Sequence, residues 1–364
     1  MLPFPAGNAV MIGVGCILIY LAIKKQYEPL LLLPIGFGAI IVNVPYSGLM
    51  EPGGFLRVLY EIGIENDLFP ILLFIGIGAM CDFGSLLEHP WVIILAVPAH
   101  LGIFISLVCA LLIGFEPLEA SSIGIIGAMD GPTAIYVTSK YAPHMLAPVT
   151  VAAYSYMASI PILQIPLSKV LTTRKERLIR MKYKPKAYPK AVRMLFPIVV
   201  TLVTGIIAPK GTPLMGSLML GNFMKESGVV RRLLKSAENE IANVTTLLLG
   251  ITIGGTMMAE QFLTTDTLLI FALGMVAFVS GLACGIISAK IACLLTGGKI
   301  NPLIGATAIS AFPMAARTAH MIGRQEDPDN WLLPHAMAAN TGGQIASVVA
   351  GGVILTFAPI LLGL

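Results

Sequence analysis

Charge is the scarcest commodity in this sequence. Only 12% of its 364 residues are Asp, Glu, Lys or Arg, against roughly 25% in an ordinary soluble domain, while 56% are hydrophobic. Apolar blocks recur along almost the whole chain, so no soluble catalytic domain fits within it. Histidine and cysteine are sparse as well. His89, His100, His144, His320 and His335 are scattered, and Cys16, Cys81, Cys109, Cys284 and Cys293 lie inside or beside apolar segments without metal-ligand spacing. That argues against a transition-metal centre, and the cysteines read as small packing residues. Missing too are the basic leader and small-residue cleavage site of a signal peptide, because Lys24 and Lys25 follow the first apolar run instead of preceding it. The run reads as a retained first helix with its N-terminus outside.

What remains is a chain made for lipid. At about 20 residues per span plus short loops there is room for about ten to twelve transmembrane segments, an all-α polytopic membrane protein in one integral unit. The charges that do occur are concentrated. Residues 174–193, "RKERLIRMKYKPKAYPKAVR", hold nine of the 23 Lys and Arg against one glutamate, which marks a cytoplasmic loop. Topology and anionic lipid account for such a loop, and so does docking of a soluble partner. It divides the chain into an N-terminal membrane half, 1–173, the basic loop, 174–193, and a C-terminal membrane half, 194–364. The halves resemble each other: "LLFIGIGAMCDFG" from Leu72 lies over "LLLGITIGGTMMA" from Leu247, and "GIIGAMDGPTAIYV" faces "PLIGATAISAFPMAA". Internal symmetry of this kind is typical of transporters, and the two halves read as inverted repeats.

Within "GAMDGPTAIY" stands Asp130. An acid at membrane depth costs roughly 2.5–3.5 kcal/mol on the insertion scale, so something must offset it. Glycine and proline in "MDGPTA" and in "NPLIGATAISAFPMAAR" interrupt two helices at the midplane, and broken backbone at that depth must be buried in protein or line a cavity. Freed carbonyls and side-chain oxygens are what a hard cation binds. Asp130 supplies the charge, Asn301 and Ser310 neutral oxygens, and Gly305 a free carbonyl. Other readings stay open. Asn301 before Pro302 is also a helix start, Ser310 can bond its own backbone, Arg317 can snorkel to the interface, and Tyr154 and Tyr156 can be interface aromatics.

The strings "GAMDGPTAIY", "VAAYSYMA", "NPLIGATAISAFPMAAR" and "HAMAANTGGQIAS", in that order, resemble the beta subunit of the sodium-pumping biotin-dependent decarboxylases, which act on oxaloacetate, methylmalonyl-CoA, glutaconyl-CoA or malonate. The resemblance runs nearly end to end, through "YEPLLLLPIGFGAIIVNVP" and "FIGIGAMCDFG". It implies that the family's essential aspartate is Asp130 and its functional tyrosine Tyr156. The asparagine, glycine, serine and arginine of the second signature fall on Asn301, Gly305, Ser310 and Arg317, and a further asparagine on Asn340.

The implied activity is decarboxylation of carboxybiotin coupled to outward sodium transport. Arg317 would clamp the carboxylate, and Tyr156 would relay the proton that the biotin ureido group takes up. Asp130, Asn301, Gly305, Ser310 and Asn340 would cage sodium. Carboxybiotin would arrive on a partner biotin carrier protein, loaded by a soluble carboxyltransferase subunit. A small membrane-anchoring subunit, a homo-oligomeric arrangement, contact with lipid but not nucleic acid, and a multi-pass place in the bacterial inner membrane complete the expectation. Two alternatives fit the residues: a secondary sodium symporter of an organic anion, and a structural anchor for a soluble complex.

Overall fold

The computed structural model describes residues 4–183 and 188–363, so Lys184 and Lys186 of the basic loop lie outside the described residues. Among the described residues every regular element is helical. The first half runs α1 (Ala6–Lys25), α2 (Pro29–Val42), α3 (Phe55–Tyr60) continued by a π-helical turn, α4 (Leu68–Met80), α5 (Gly84–Glu88), α6 (Ile93–Ala99), α7 (Leu101–Ile113), α8 (Pro117–Gly124), α9 (Gly131–Tyr141), α10 (Leu146–Ala158) and α11 (Ile160–Leu171). After α12 (Arg174–Arg177) in the basic loop come α13 (Lys190–Ile207), α14 (Thr212–Ser227), α15 (Arg231–Ser236), a second π-helical turn, α16 (Ala242–Gly255), α17 (Ala259–Phe262), α18 (Thr265–Leu295), α19 (Met314–Glu326) and α20 (Leu333–Leu362).

This is a multi-pass membrane protein. Among the described residues five helical stretches are long and apolar enough to cross a bilayer, or seven if each of two bent pairs counts as one span. The count expected from length alone is higher because several apolar stretches are short or broken. The pair Phe55–Glu65 and Leu68–Met80 bends by 60°, and Pro143–Ala158 and Ile160–Leu171 by 62°. Asp67, left-handed at φ 60°, makes the first bend. The second falls where Ser159 precedes a helix with proline in its first turn, a residue that cannot donate to the preceding turn.

Two segments enter the bundle and return to the face they left. Glu119, near the start of α8, lies 3.0 Å from His144, just beyond α9, so 117–141 begins and ends at one face. Asn301, before the helical turn at 302–307, and Asn330, beyond α19, each donate to the Arg177 carbonyl at 3.0 Å. The segment 301–326 therefore begins and ends at the face carrying the basic loop.

Close crossings of helices lock the bundle. Gly78 of α4 lies against the Leu218 carbonyl of α14, and Gly221 of α14 against the Ile75 carbonyl of α4. Gly254 of α16 and Gly38 of α2 make the matching pair against the Ile35 and Ile251 carbonyls. Lipid tails offer helices no hydrophobic reason to associate, so such close backbone packing supplies the attraction. The result among the described residues is two main apolar cores, one around Met11, Ile35 and Ile253 and a larger one around Ile103, Phe278 and Val348, beside a small cluster of Leu303, Ala319, Ile322 and Leu332.

The basic loop is fastened to the returning segment. Glu326 accepts from Arg177 at 2.8 Å and pairs with Arg174 at 3.2 Å, while Arg180 grips Asp327 at 2.6 Å. The hydrogen bonds from Arg177 and Arg180 hold the Glu326 and Asp327 carboxyls below their usual values. Their contribution is therefore complete above the ordinary carboxylate range and disappears only as pH falls through the lowered values. His89 and His335 come together here as well, stacked at 4.4 Å with Tyr183 beside them.

Replacing Gly78 by Ala should lower the melting temperature in detergent, because the added methyl overlaps the Leu218 carbonyl and overpacking costs about 1–3 kcal/mol. Gly13→Ala, with open space around it, should leave the melting temperature unchanged or slightly raised.

Candidate functional site

Asp130 is at the tip of the first returning segment, and local chemistry puts it there. The turn Ile125–Ala128 ends at Met129, which is left-handed at φ 56°, and α9 then starts at Gly131 with proline in its first turn. Proline is tolerated at that position because its missing donor is unneeded there. Asp130 sits between the two pieces with extended backbone and is 3% exposed. Its Oδ2 accepts from the Thr133 hydroxyl at 2.7 Å and from the Ser347 hydroxyl at 3.0 Å. No Lys, Arg or His among the described residues pairs with it.

The second segment brings its own tip to the same place. Ser310 lies between the turn at 302–307 and α19, and its hydroxyl bonds the Gln344 side-chain oxygen and also reaches the Asp130 carboxylate. A hydroxyl has one hydrogen, so it cannot donate to both at once. The Asn340 amide donates to the Ile309 carbonyl at 2.6 Å, leaving its own oxygen buried without a partner. Gly343 allows this approach, since any larger residue would meet the Ile309 carbonyl. Asn340, Gln344 and Ser347 stand at i, i+4 and i+7, one stripe of α20. Sequence reasoning passed over Thr133, Gln344 and Ser347, although all three lie inside quoted strings; the stripe was the available signal.

Asp130, Ser310, Gln344 and Tyr154 line one cavity of about 450 Å³. Its other wall comes from α2, α4 and α16, so it lies between the two apolar cores. The Tyr154 hydroxyl is buried without a hydrogen-bond partner and rests on Gly131, next to Asp130. The donor set is one carboxylate with hydroxyl and amide oxygens, the ligand type of hard cations.

Other expected residues stand elsewhere. Asn301 is held by other bonds: its oxygen accepts from Leu303 N at 3.0 Å, and its amide donates to the Arg177 and Ile179 carbonyls. It caps a helical turn and ties the basic loop, as asparagine before a helix commonly does. The Gly305 carbonyl accepts from Ala308 N at 3.3 Å, and its bare Cα lets α18 approach at Gly285. The Tyr156 hydroxyl donates to the Phe271 carbonyl at 2.5 Å, and its ring faces Phe278. It therefore turns toward α18 while Tyr154 faces the cavity. Arg317 is exposed and has no ion-pair partner among the described residues. Its amide bonds the carbonyl of Pro313, a cavity-wall residue, so it sits one turn beyond that wall.

Broken helices whose tips meet around an unpaired buried carboxylate define the class, an ion-transporting membrane protein. Residues 7–358 match the family of the Na+-transporting oxaloacetate decarboxylase beta subunit, and the chain belongs to that family. It is a decarboxylase subunit of the sodium-transporting kind. It is 47% identical to the glutaconyl-CoA decarboxylase subunit beta of Acidaminococcus fermentans, over 97% of this chain and 93% of the relative. It is 45% identical to the methylmalonyl-CoA decarboxylase subunit beta of Veillonella parvula, over 97% and 94%. With the oxaloacetate decarboxylase beta chain of Klebsiella pneumoniae the identity is 39%, over 97% and 95%.

Asn301→Ala removes two amide-to-carbonyl bonds, each worth about 1 kcal/mol net. It should lower the melting temperature and speed proteolysis of the basic loop while leaving the half-saturating sodium concentration alone. An altered sodium requirement at unchanged stability would instead make Asn301 a ligand.

Proposed function

We propose that this chain decarboxylates carboxybiotin, delivered by a biotin carrier protein, and uses the reaction to move sodium outward across the bacterial inner membrane with uptake of a proton. The observation that carries the reading is Asp130, a buried carboxylate surrounded by hydroxyl and amide oxygens at two meeting tips, with no cationic side chain among the described residues to neutralise it. In a sodium-transporting decarboxylase the missing counter-charge is sodium. We assign the ion to Asp130 and Ser310, with Asn340, Gln344 and Ser347 supporting them.

The chemistry makes three demands. The departing carboxylate needs a cation to hold it, and the guanidinium of Arg317, one turn beyond the cavity wall and without an ion-pair partner among the described residues, offers two parallel donors. Loss of carbon dioxide leaves the bonding pair on the ureido nitrogen, which takes up a proton. The relay implied for Tyr156 requires its hydroxyl to leave the Phe271 carbonyl; Tyr154 is already beside Asp130. The third demand is coupling: a proton and sodium compete for the single charge of Asp130, so protonation there expels the ion. Moving one charge against 100 mV takes about 2.3 kcal/mol.

The face bearing the basic loop is cytoplasmic in this reading and receives the carrier and its carboxyltransferase. A small membrane-anchoring subunit and further copies of the chain complete the assembly. The halves 1–173 and 194–364 are inverted repeats around the loop at 174–193. Support comes from the returning segments, which start from opposite faces, and from the matching glycine crossings of α4 on α14 and α16 on α2. The acid consumed is the partner's choice, and the relatives' names span glutaconyl-CoA, methylmalonyl-CoA and oxaloacetate.

In the reconstituted complex, Asp130→Asn should abolish sodium-dependent decarboxylation with the melting temperature retained; full sodium transport by that variant would remove the assignment. Arg317→Lys, measured on carrier-bound carboxybiotin in saturating sodium, should lose at least about tenfold in rate, because lysine offers a point charge in place of a planar clamp. Turnover equal to the unmutated protein would mean that Arg317 only anchors α19.

A further inference from the structure

The cavity that ends at Asp130 carries two more carboxylates, Glu28 and Glu238. Glu28 lies between α1 and α2, held in the left-handed region at φ 36°. Glu238 lies in the π-helical turn that leads into α16. Both are half-buried, whereas Asp130 is buried, so they stand nearer the opening. Neither has a side-chain hydrogen bond or ion pair among the described residues, and no Lys, Arg or His lines the cavity. Burial raises the Glu28 carboxyl above its usual value, a cost that no fixed cation offsets.

The wall formed by α2, α4 and α16 is mixed in character. Leu73, Ile77 and Met80 of α4 are apolar, while Glu238, Asn243 and Thr246, on and just before the adjoining α16, carry side-chain oxygens. A second and independent observation sits further in: the Tyr154 hydroxyl, 3% exposed as a residue and without a hydrogen-bond partner, between these groups and Asp130's own turn at Gly131. A buried hydroxyl left unpaired beside an acid-lined cavity has a lone pair to give to a passing cation.

We infer that Glu28 and Glu238, with the Tyr154 hydroxyl beyond them, form the access path by which sodium reaches Asp130 from the face of the basic loop. Connectivity supports that side. Arg193, at the start of α13 just after the basic loop, pairs with Glu226 at 3.2 Å, and α15, which leads to Glu238, begins at Arg231 soon after. At the far end of the molecule Asn8 of α1 bonds the Asn43 carbonyl at 3.0 Å, which leaves the α1–α2 turn, and Glu28 with it, at the near end. Carboxylates at the opening of a cavity with low-dielectric walls raise the local cation concentration and the rate of capture. The inference rests on the assignment of the ion to Asp130.

The test uses the complete complex in liposomes at low ionic strength, with sodium itself as the probe. Glu28→Gln and Glu238→Gln should each raise the sodium concentration for half-maximal decarboxylation about threefold, and together about tenfold, with a smaller change in maximal rate. The effect should shrink as choline chloride is added, since screening removes what the charges contributed. Unchanged sodium dependence in both single variants and the double variant would overturn the path. Should the double variant fail to assemble, Glu238→Cys decides: a membrane-impermeant thiol reagent added on the basic-loop side should label it beyond the unmutated background, and sodium should slow the labelling. Absence of labelling from that side would likewise overturn the path. Asp130→Asn in the same assay separates the two failures. If it keeps its sodium dependence, the ion site itself is wrong; if it loses that dependence while the glutamate variants behave as wild type, only the path is.

Discussion

The buried carboxylate of Asp130, unpaired with any cation among the described residues, constrains the rest of this molecule. Asp130 is held deep in the bundle with no cationic side chain beside it among the described residues, so its surroundings must stabilise it with oriented dipoles: the Thr133 and Ser347 hydroxyls directly, and Ser310 from the opposing segment. Backbone that has left the helix can survive at that depth only where protein encloses it. The two returning segments satisfy that condition for each other, since each tip closes the break in the other. A permanent arginine partner would have stabilised the carboxylate more strongly and left it neutralised.

The glycine crossings serve the same end from a distance. The pairs Gly78 with Gly221 and Gly254 with Gly38 let carbonyl-bearing backbones approach where a methyl would collide. They tie α2 and α4, from the first half, to α16 and α14, from the second, and so fix the wall that faces the tips. The cavity therefore lies where the two apolar cores meet, with fixed helices on one side and interrupted ones on the other. Ion-transporting proteins commonly place their sites at such a boundary.

The basic loop has a more specific part than its composition suggests. Arg174, Arg177 and Arg180 are engaged by Glu326, Asp327 and Asp329, and the Arg177 carbonyl receives both Asn301 and Asn330. Exposed ion pairs contribute little individually. Their value here is positional, because they hold together the two ends of the segment that carries Ser310 and Arg317.

The helical class, the membrane medium, the acid at depth and the two interrupted segments were all legible in the residues, because apolar runs, proline and glycine act locally and a charge in an apolar run is conspicuous wherever it occurs. Family membership was legible for a similar reason, since long uncommon strings such as "GAMDGPTAIY" need no geometry to be matched. Which oxygens surround Asp130 was not. Ser347 is 217 positions away from it, and Asn301 and Ser310 look equally available in one string although a few residues of chain carry them to different ends of a returning segment. Tyr154 and Tyr156, two residues apart, likewise face the cavity and α18 respectively, because a helix turns about 200° in two steps. The sequence by itself determined what kinds of segment exist and where they break; only the packing of those segments decided which side chains share a cavity, because contact between distant positions depends on how whole helices cross, and local residue type does not specify that.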